Sequence, residues 1–249
     1  MHTAKFKNTE LIDTVEQLYK FVGLLNPSLY LFFDTETTGL KVDDKLLIVS
    51  LYQENGAKAS IFIDNPDIFE GIPLPIVIEV LRPILTTFKV VGHNIKFDAW
   101  VMQRNGIESI NIAHDTMCII HCADCNLLKG LEASIQRDLK IKKPTYSEIC
   151  GLKFDKIIWE VHTKPYTTTT GRKNIKIHEH PAAITKDNFG IYAADDVEAT
   201  AMLLNFWLPK LEKDERAYKN YLKIELPIIP VLVQMKQEGV FIDLDIIND

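Results

Sequence analysis

Apolar residues along the chain fall into short unbroken runs and one-sided stripes. Residues 9–25 carry Leu11, Val15, Leu18, Tyr19 and Val22 on one helical stripe, which predicts a helix. Asn26-Pro27-Ser28 interrupts it. Tyr30-Leu31-Phe32-Phe33 is a continuous apolar run suited to a buried strand, and it leads into Asp34-Thr35-Glu36-Thr37-Thr38-Gly39-Leu40. Residues 46–53 and 58–63 read as two further strands around Asn55-Gly56, a hairpin signal. The pattern then predicts a proline-bounded helix near 74–86, a strand at 89–92, a helix at 95–105 and short helices at 115–125, 130–139 and 145–150. Asp187 is placed to cap a helix from 188 to about 207. A second helical stretch covers roughly 210–238, where Pro227 and Pro230 are expected to bend or split it. Strands followed by alternating helices indicate an α/β architecture around a mixed sheet.

Residues 151–186 break this pattern. They are rich in Thr, Lys and His and read as a surface excursion with a hairpin turning near Thr170-Gly171. Lys164, Arg172, Lys173 and Lys176 there are either solvated or touch a phosphate backbone. Composition adds limits. With 249 residues, 47% hydrophobic and 25% charged, the chain is an ordinary globular one. No run approaches the roughly 20 apolar residues that cross a membrane. The first 21 residues lack a continuous apolar region of the secretory kind, so an intracellular location and no membrane partner are expected. Net charge −6 and a pI of about 5.7 argue against binding nucleic acid by bulk electrostatics, though not against gripping a strand end. Cys118, Cys122 and Cys125 share one helical face beside His121, with Cys150 further on. Buried free thiols are expected here, with a zinc site as the alternative.

The chemistry lies in the carboxylates. Asp34 and Glu36 stand at i and i+2 at a strand end, so both point to one face. Two such charges ~4 Å apart repel by roughly 4 kcal/mol at an effective dielectric of about 20, which a cation between them relieves. A polar strand exit would give the same string. Asn94 and Asp98, in Gly92-His93-Asn94-Ile95-Lys96-Phe97-Asp98, fit either a helix cap with a first-turn acid or a second acidic site. Tyr192 and Asp196 stack on one helical face that Ala199 and Leu203 continue, so that face looks inward; Asp195 is rotated about 100° away and is expected in solvent. Gly190 in the same helix suits close packing. Four hard oxygen ligands suit Mg²⁺ or Mn²⁺ better than zinc.

The order D-x-E, N-x-x-x-D, Y-x-x-x-D, written DTETTGL, GHNIKFD and YAADD, resembles the DEDD 3′→5′ exonucleases with a tyrosine in the third motif. It is most similar to the proofreading domain of family A, bacterial DNA polymerase I-like polymerases. The likeness extends to DTM at 115–117, to GLEASIQRDLKIKKPTYSEICG and to the closing YLKIELPIIPVLVQMKQEGVFID, and runs from about residue 9 to the end. It implies a ribonuclease H-like mixed five-stranded sheet flanked by helices. It implies Asp34, Glu36, Asp98 and Asp196 as ligands of two divalent cations, Mg²⁺ or Mn²⁺, and Tyr192 as the group that orients the attacking water. Thr37, Leu40, Asn94 and Tyr146 fall where the family contacts the terminal nucleotide. Plain packing is the alternative for Leu40 and Tyr146.

The resemblance implies a DNA 3′-end exonuclease of the proofreading type, acting on single-stranded or frayed ends and releasing 5′-monophosphates. The domain would span 1–208, with 151–186 departing from the family core. Residues 209–249 would be a helical segment leading into a polymerase domain absent from this chain, which is then a possible natural partner. Two other readings stay open: an RNA-trimming exonuclease, and a catalytically silent module of a polymerase.

Overall fold

The computed structural model describes residues 6–66, 68–141, 166–167, 173–174 and 186–239. Its centre is a six-stranded sheet in the order β1-β4-β3-β2-β5-β6. The strands are β1 (Glu10–Ile12), β2 (Tyr30–Thr37), β3 (Leu46–Tyr52), β4 (Lys58–Phe62), β5 (Lys89–Gly92) and β6 (Ile112–Asp115). The β3–β4 hairpin and the β2–β3 pair are antiparallel, whereas β1 on β4, β5 on β2 and β6 on β5 are parallel. Gly56 makes the hairpin turn with φ 104°, a backbone region that favours glycine. All residues of β3 and β4 are buried, as expected for central strands covered on both faces.

Two layers of helix cover the sheet. On one face α2 (Leu74–Thr87) and α3 (Lys96–Arg104) bury Val77, Leu81, Leu85 and Trp100 against Leu31, Phe33 and Val90. On the other lies the long α6 (Lys186–Leu211), which crosses β2, β3 and β4 and buries Phe189, Ala193 and Val197. Phe32 and Phe62 meet that face. The helices α4 (Thr116–Ala123) and α5 (Leu131–Ser134) and a π-helical turn at Ile135–Leu139 close its edge. The chain continues through α7 (Glu215–Asn220), a π-helical turn at Tyr221–Glu225 and α8 (Leu226–Glu238), which packs on α3. A separate two-stranded antiparallel ladder pairs β7 (Tyr166–Thr167) with β8 (Lys173–Asn174), in line with the expected hairpin. Among the described residues, no helix is long and apolar enough to cross a membrane.

Several local expectations change. The first apolar stripe divides into β1 and α1 (Val15–Val22). Thr14 starts α1 with a capping box: its hydroxyl accepts from Gln17 N–H, and the Gln17 side chain accepts from Thr14 N–H. β1 therefore joins β4 and gives the mixed sheet a sixth strand where five were expected. Asp187 lies inside the first turn of α6 and not at its cap. Pro227 and Pro230 do not split the last helix. The Leu226 N–H reaches Tyr221 C=O, five residues back, so one wide turn absorbs the misfit just before Pro227. The thiols of Cys118 and Cys122 are half-buried and Cys125 is exposed, all three free, so burial is less complete than expected. Burial pushes the Cys118 thiol up to about 12 and that of Cys122 to about 11. The expected helix at 145–150 and Cys150 lie outside the described residues.

Candidate active site

Alternation along β2 builds the first half of the site. Leu31, Phe33 and Thr35 face the α2–α3 layer, and Phe32, Asp34 and Glu36 face α6. A register shift against β3 between Glu36 and Thr37 marks a bulge where the strand leaves the sheet. Beyond it the loop is tied down. The Thr37 hydroxyl donates to Gly39 C=O at 2.6 Å, and the Thr38 hydroxyl donates to Asp44 at 3.1 Å while accepting from Lys45 N–H at 2.9 Å. Arg104 reaches across from α3 to donate to the carbonyls of Lys41, Val42 and Asp44. This braced loop presents Leu40 at 77% exposure, so core packing does not explain that leucine.

α6 supplies the second half. Asp34, Glu36 and Asp196 each offer a carboxylate oxygen, and these oxygens all lie within 4.8 Å of one another. Tyr192, one turn before Asp196, is half-buried beside them. Burial first, then the charges of Asp196, Glu36 and Asp34, hold its hydroxyl well above the ordinary phenol range. Beside these acids it is therefore held as a neutral phenol.

Asp98 lies outside that group of three. It sits in the first turn of α3, buried, and its Oδ1 accepts from the Thr35 N–H at 2.9 Å and the Thr35 hydroxyl at 2.6 Å. Burial holds its carboxyl well above the usual carboxylate range, against the pull of the two Thr35 hydrogen bonds. Both bonds hold Asp98 against β2 at the residue between Asp34 and Glu36. Asn94 does not cap α3: it adopts φ 61°, and the N–H groups of Asn94 and Ile95 are instead bound by the Asp115 carboxylate at 3.1 and 2.9 Å. Asp115 also caps α4 through Met117 and Cys118 N–H at 2.8 and 3.2 Å. One buried carboxylate thus fixes the loop that carries Asn94 and the helix that carries Asp98. Gly92 makes this turn possible, because a Cβ there would stand 2.8 Å from Cβ of Ile95. Tyr146 lies outside the described residues.

Sequence reasoning missed a buried charge cluster beside the site. Asp195, expected in solvent, is 5% exposed and pairs with Lys58 Nζ at 2.6 Å; Glu198 pairs with the same ammonium at 2.9 Å. A lysine at the start of a fully buried β-strand, two strands from the acids, was the available signal.

A mixed α/β sheet that gathers three carboxylates between a strand end and a crossing helix defines a protein with a candidate divalent-metal site. Residues 7–212 match the 3′-5′ exonuclease family, and the chain belongs to that family. It is 24% identical over 250 residues to DNA polymerase I of Borreliella burgdorferi, an alignment covering 94% of this chain and 22% of that protein. The chain thus spans about a fifth of that relative's length. Its fold is also that of Escherichia coli RNase D, an exoribonuclease involved in structured RNA processing (TM-score 0.56, 18% identity, 94% of this chain and 52% of that one). Brucella melitensis NrnC with bound Mg²⁺ is similar too (TM-score 0.55, 15% identity, 84% of this chain and 86% of that one).

Proposed function

We propose that this chain hydrolyses phosphodiester bonds at DNA 3′ ends, releasing 5′-monophosphates, as a proofreading-type exonuclease inside the cell. The observation that carries the reading is the convergence of Asp34, Glu36 and Asp196 within 4.8 Å in a member of this family. Three like charges at that spacing repel unless a cation sits among them, and hard oxygen donors select Mg²⁺ or Mn²⁺. Asp98 is assigned as the fourth ligand, completing a set for two ions. Bound there, the ions would supply a more acidic water and charge neutralisation at the leaving 3′ oxygen. Tyr192, whose hydroxyl burial keeps protonated, would place that water by hydrogen bonding. Thr37, Leu40, Asn94 and Tyr146 are assigned to the terminal nucleotide, with Leu40 offering exposed apolar surface to a base. DNA is preferred to RNA because the relative aligned over 94% of this chain is a DNA polymerase. On this reading 1–208 is the exonuclease domain and 209–249 a segment that leads, in a longer protein, to a polymerase.

The test is digestion of matched single-stranded DNA and RNA oligonucleotides labelled at the 5′ end. A ladder shortened from the 3′ end, abolished by EDTA and restored by Mg²⁺ or Mn²⁺, is expected on DNA. Faster RNA digestion would move the assignment to RNA trimming. Robust cleavage in chelator, or none under any condition, would reject the reading.

A further inference from the structure

The buried ammonium of Lys58 is fully satisfied. Its three N–H donors go to Asp195 Oδ1 at 2.6 Å, Glu198 Oε2 at 2.9 Å and the Lys7 carbonyl at 3.2 Å, and its side chain has no exposed surface. Glu198 also accepts from the Lys7 N–H at 2.9 Å, so residue 7 closes the cluster from the outside. None of these groups is among the three acids that converge at the candidate metal site.

Their placement on α6 gives them a role. Asp195 and Glu198 lie one turn apart on the helix face toward β4, and Tyr192 and Asp196 lie on the neighbouring face toward β2. Successive residues turn by about 100° and rise about 1.5 Å, so a one-residue slip of α6 would carry Asp196 away from Asp34 and Glu36. Large apolar anchors of α6 on the sheet, Phe189 and Leu204, stand near its two ends, and the stretch between them that carries Asp196 meets the sheet through the smaller Ala193, Val197 and Ala201. A single buried cation with two partners on the helix resists such a slip. Two further ties lie along the same strand. The Ser60 hydroxyl donates to the Gly190 carbonyl at 2.7 Å, and Gly190 lets α6 approach until a Cβ would stand 2.6 Å from the Phe62 ring.

We propose that Lys58, Asp195 and Glu198 are positioning residues for the metal site: they lock the rotation and axial register of α6, and so set the distance of Asp196 and Tyr192 from the β2 acids. This rests on the exonuclease reading for its effect on activity, but its effect on cation binding does not. The test measures Mn²⁺ affinity by electron paramagnetic resonance, alongside thermal melting and DNA digestion as a function of Mn²⁺. Two variants are compared with the full wild-type chain. Asp195→Asn keeps shape and one hydrogen bond. Lys58→Met/Asp195→Leu/Glu198→Met removes all three charges together, which leaves no orphaned ion and lets an apolar core form. Both are expected to bind Mn²⁺ more weakly, about threefold for the single and tenfold or more for the triple variant. The digestion midpoint should move to higher Mn²⁺ in parallel, with near-UV circular dichroism unchanged. Wild-type Mn²⁺ affinity in a folded triple variant would overturn the proposal. Should the triple variant not fold, wild-type affinity in Asp195→Asn would do so alone. A wild-type chain that binds Mn²⁺ but digests nothing would count against the exonuclease reading and leave the affinity comparison valid.

Discussion

At the residue scale, environment decides what each ionisable group does. Asp34, Glu36 and Asp196 repel one another, so removing one should relieve the metal-free protein while removing a ligand. Asp34→Ala, Glu36→Ala and Asp196→Ala are each expected to lower the digestion rate at least about a hundredfold and leave the metal-free melting temperature equal or higher. Loss of melting temperature in all three would contradict the repulsion argument. Asp195→Ala is expected to behave differently, because it strips one of two carboxylates from a buried ammonium; destabilisation by about 3 kcal/mol in urea titration is the expected result. His114 illustrates the pH side. Tyr221 Oη accepts from the Asp115 N–H at 3.2 Å, so it donates to His114 Nδ1 at 3.1 Å, and Nε2–H then donates to Tyr30 Oη at 3.3 Å. Burial, aided by the Lys89 charge, pushes this imidazole down to about 4. The unfolded chain takes up its proton near pH 6.5 and the folded one only near 4. The resulting stability is therefore whole above pH 6.5 and lost as the pH falls toward 4. The His114 ring resonances should stay unshifted down to about pH 5 in an NMR titration; a midpoint near 6.5 would refute the buried neutral assignment.

At the element scale, two capping and packing devices set the site. Asp115 binds four backbone N–H groups, two before α3 and two in α4. Asp115→Ala orphans them in a buried place and is expected to cost about 3 kcal/mol of stability and to impair metal binding through α3. Retained stability would mean that water replaces the carboxylate. At Gly190 two effects oppose each other. Alanine favours the helix by about 1 kcal/mol, but its Cβ meets Phe62 and Leu11 at 2.6 and 2.7 Å inside a filled core. Overpacking should win, with Gly190→Ala destabilising by about 1–2 kcal/mol. A stabilised Gly190→Ala variant would show that α6 has room to move.

At the scale of the whole molecule, the segment after α6 is built into the core on one side and exposed on the other. Tyr221 is fully buried, and Ile229 and Val233 pack with α3, whereas Leu222, Ile224, Ile228, Val231 and Met235 face outward. Truncation at residue 218 removes Tyr221 from beneath His114 and Asp115 and uncovers α3. A loss on the order of 5 kcal/mol and a markedly lower melting temperature are expected, given about 1.5–3 kcal/mol for each large apolar side chain removed. An unchanged melting temperature would show that the segment is a detachable appendage.

The sequence by itself determined four of the six sheet strands, β2 to β5, and most of the helices, because their apolar periods are written locally; the short β6 carried no such signal. It also determined that Asp34 and Glu36 share a face and that Tyr192 and Asp196 share another, since strand and helix periods fix both. Three residues of β1 hid inside a helical stripe because strand pairing with β4 outweighed local periodicity. Only the tertiary structure decided which faces meet. It brought Asp196 to the β2 acids, set Asp98 against Thr35 between two of them, and turned Asp195 from an expected solvated acid into the partner of Lys58. Asp115 likewise became a double cap only when β6 came to lie beside β5. These partners stand 20 to 162 positions apart along the chain, from Ile95 and Asp115 to Asp34 and Asp196, where no local period reaches. Burial and charge pairing are properties of what arrives opposite a residue, and the folded sheet alone settles that.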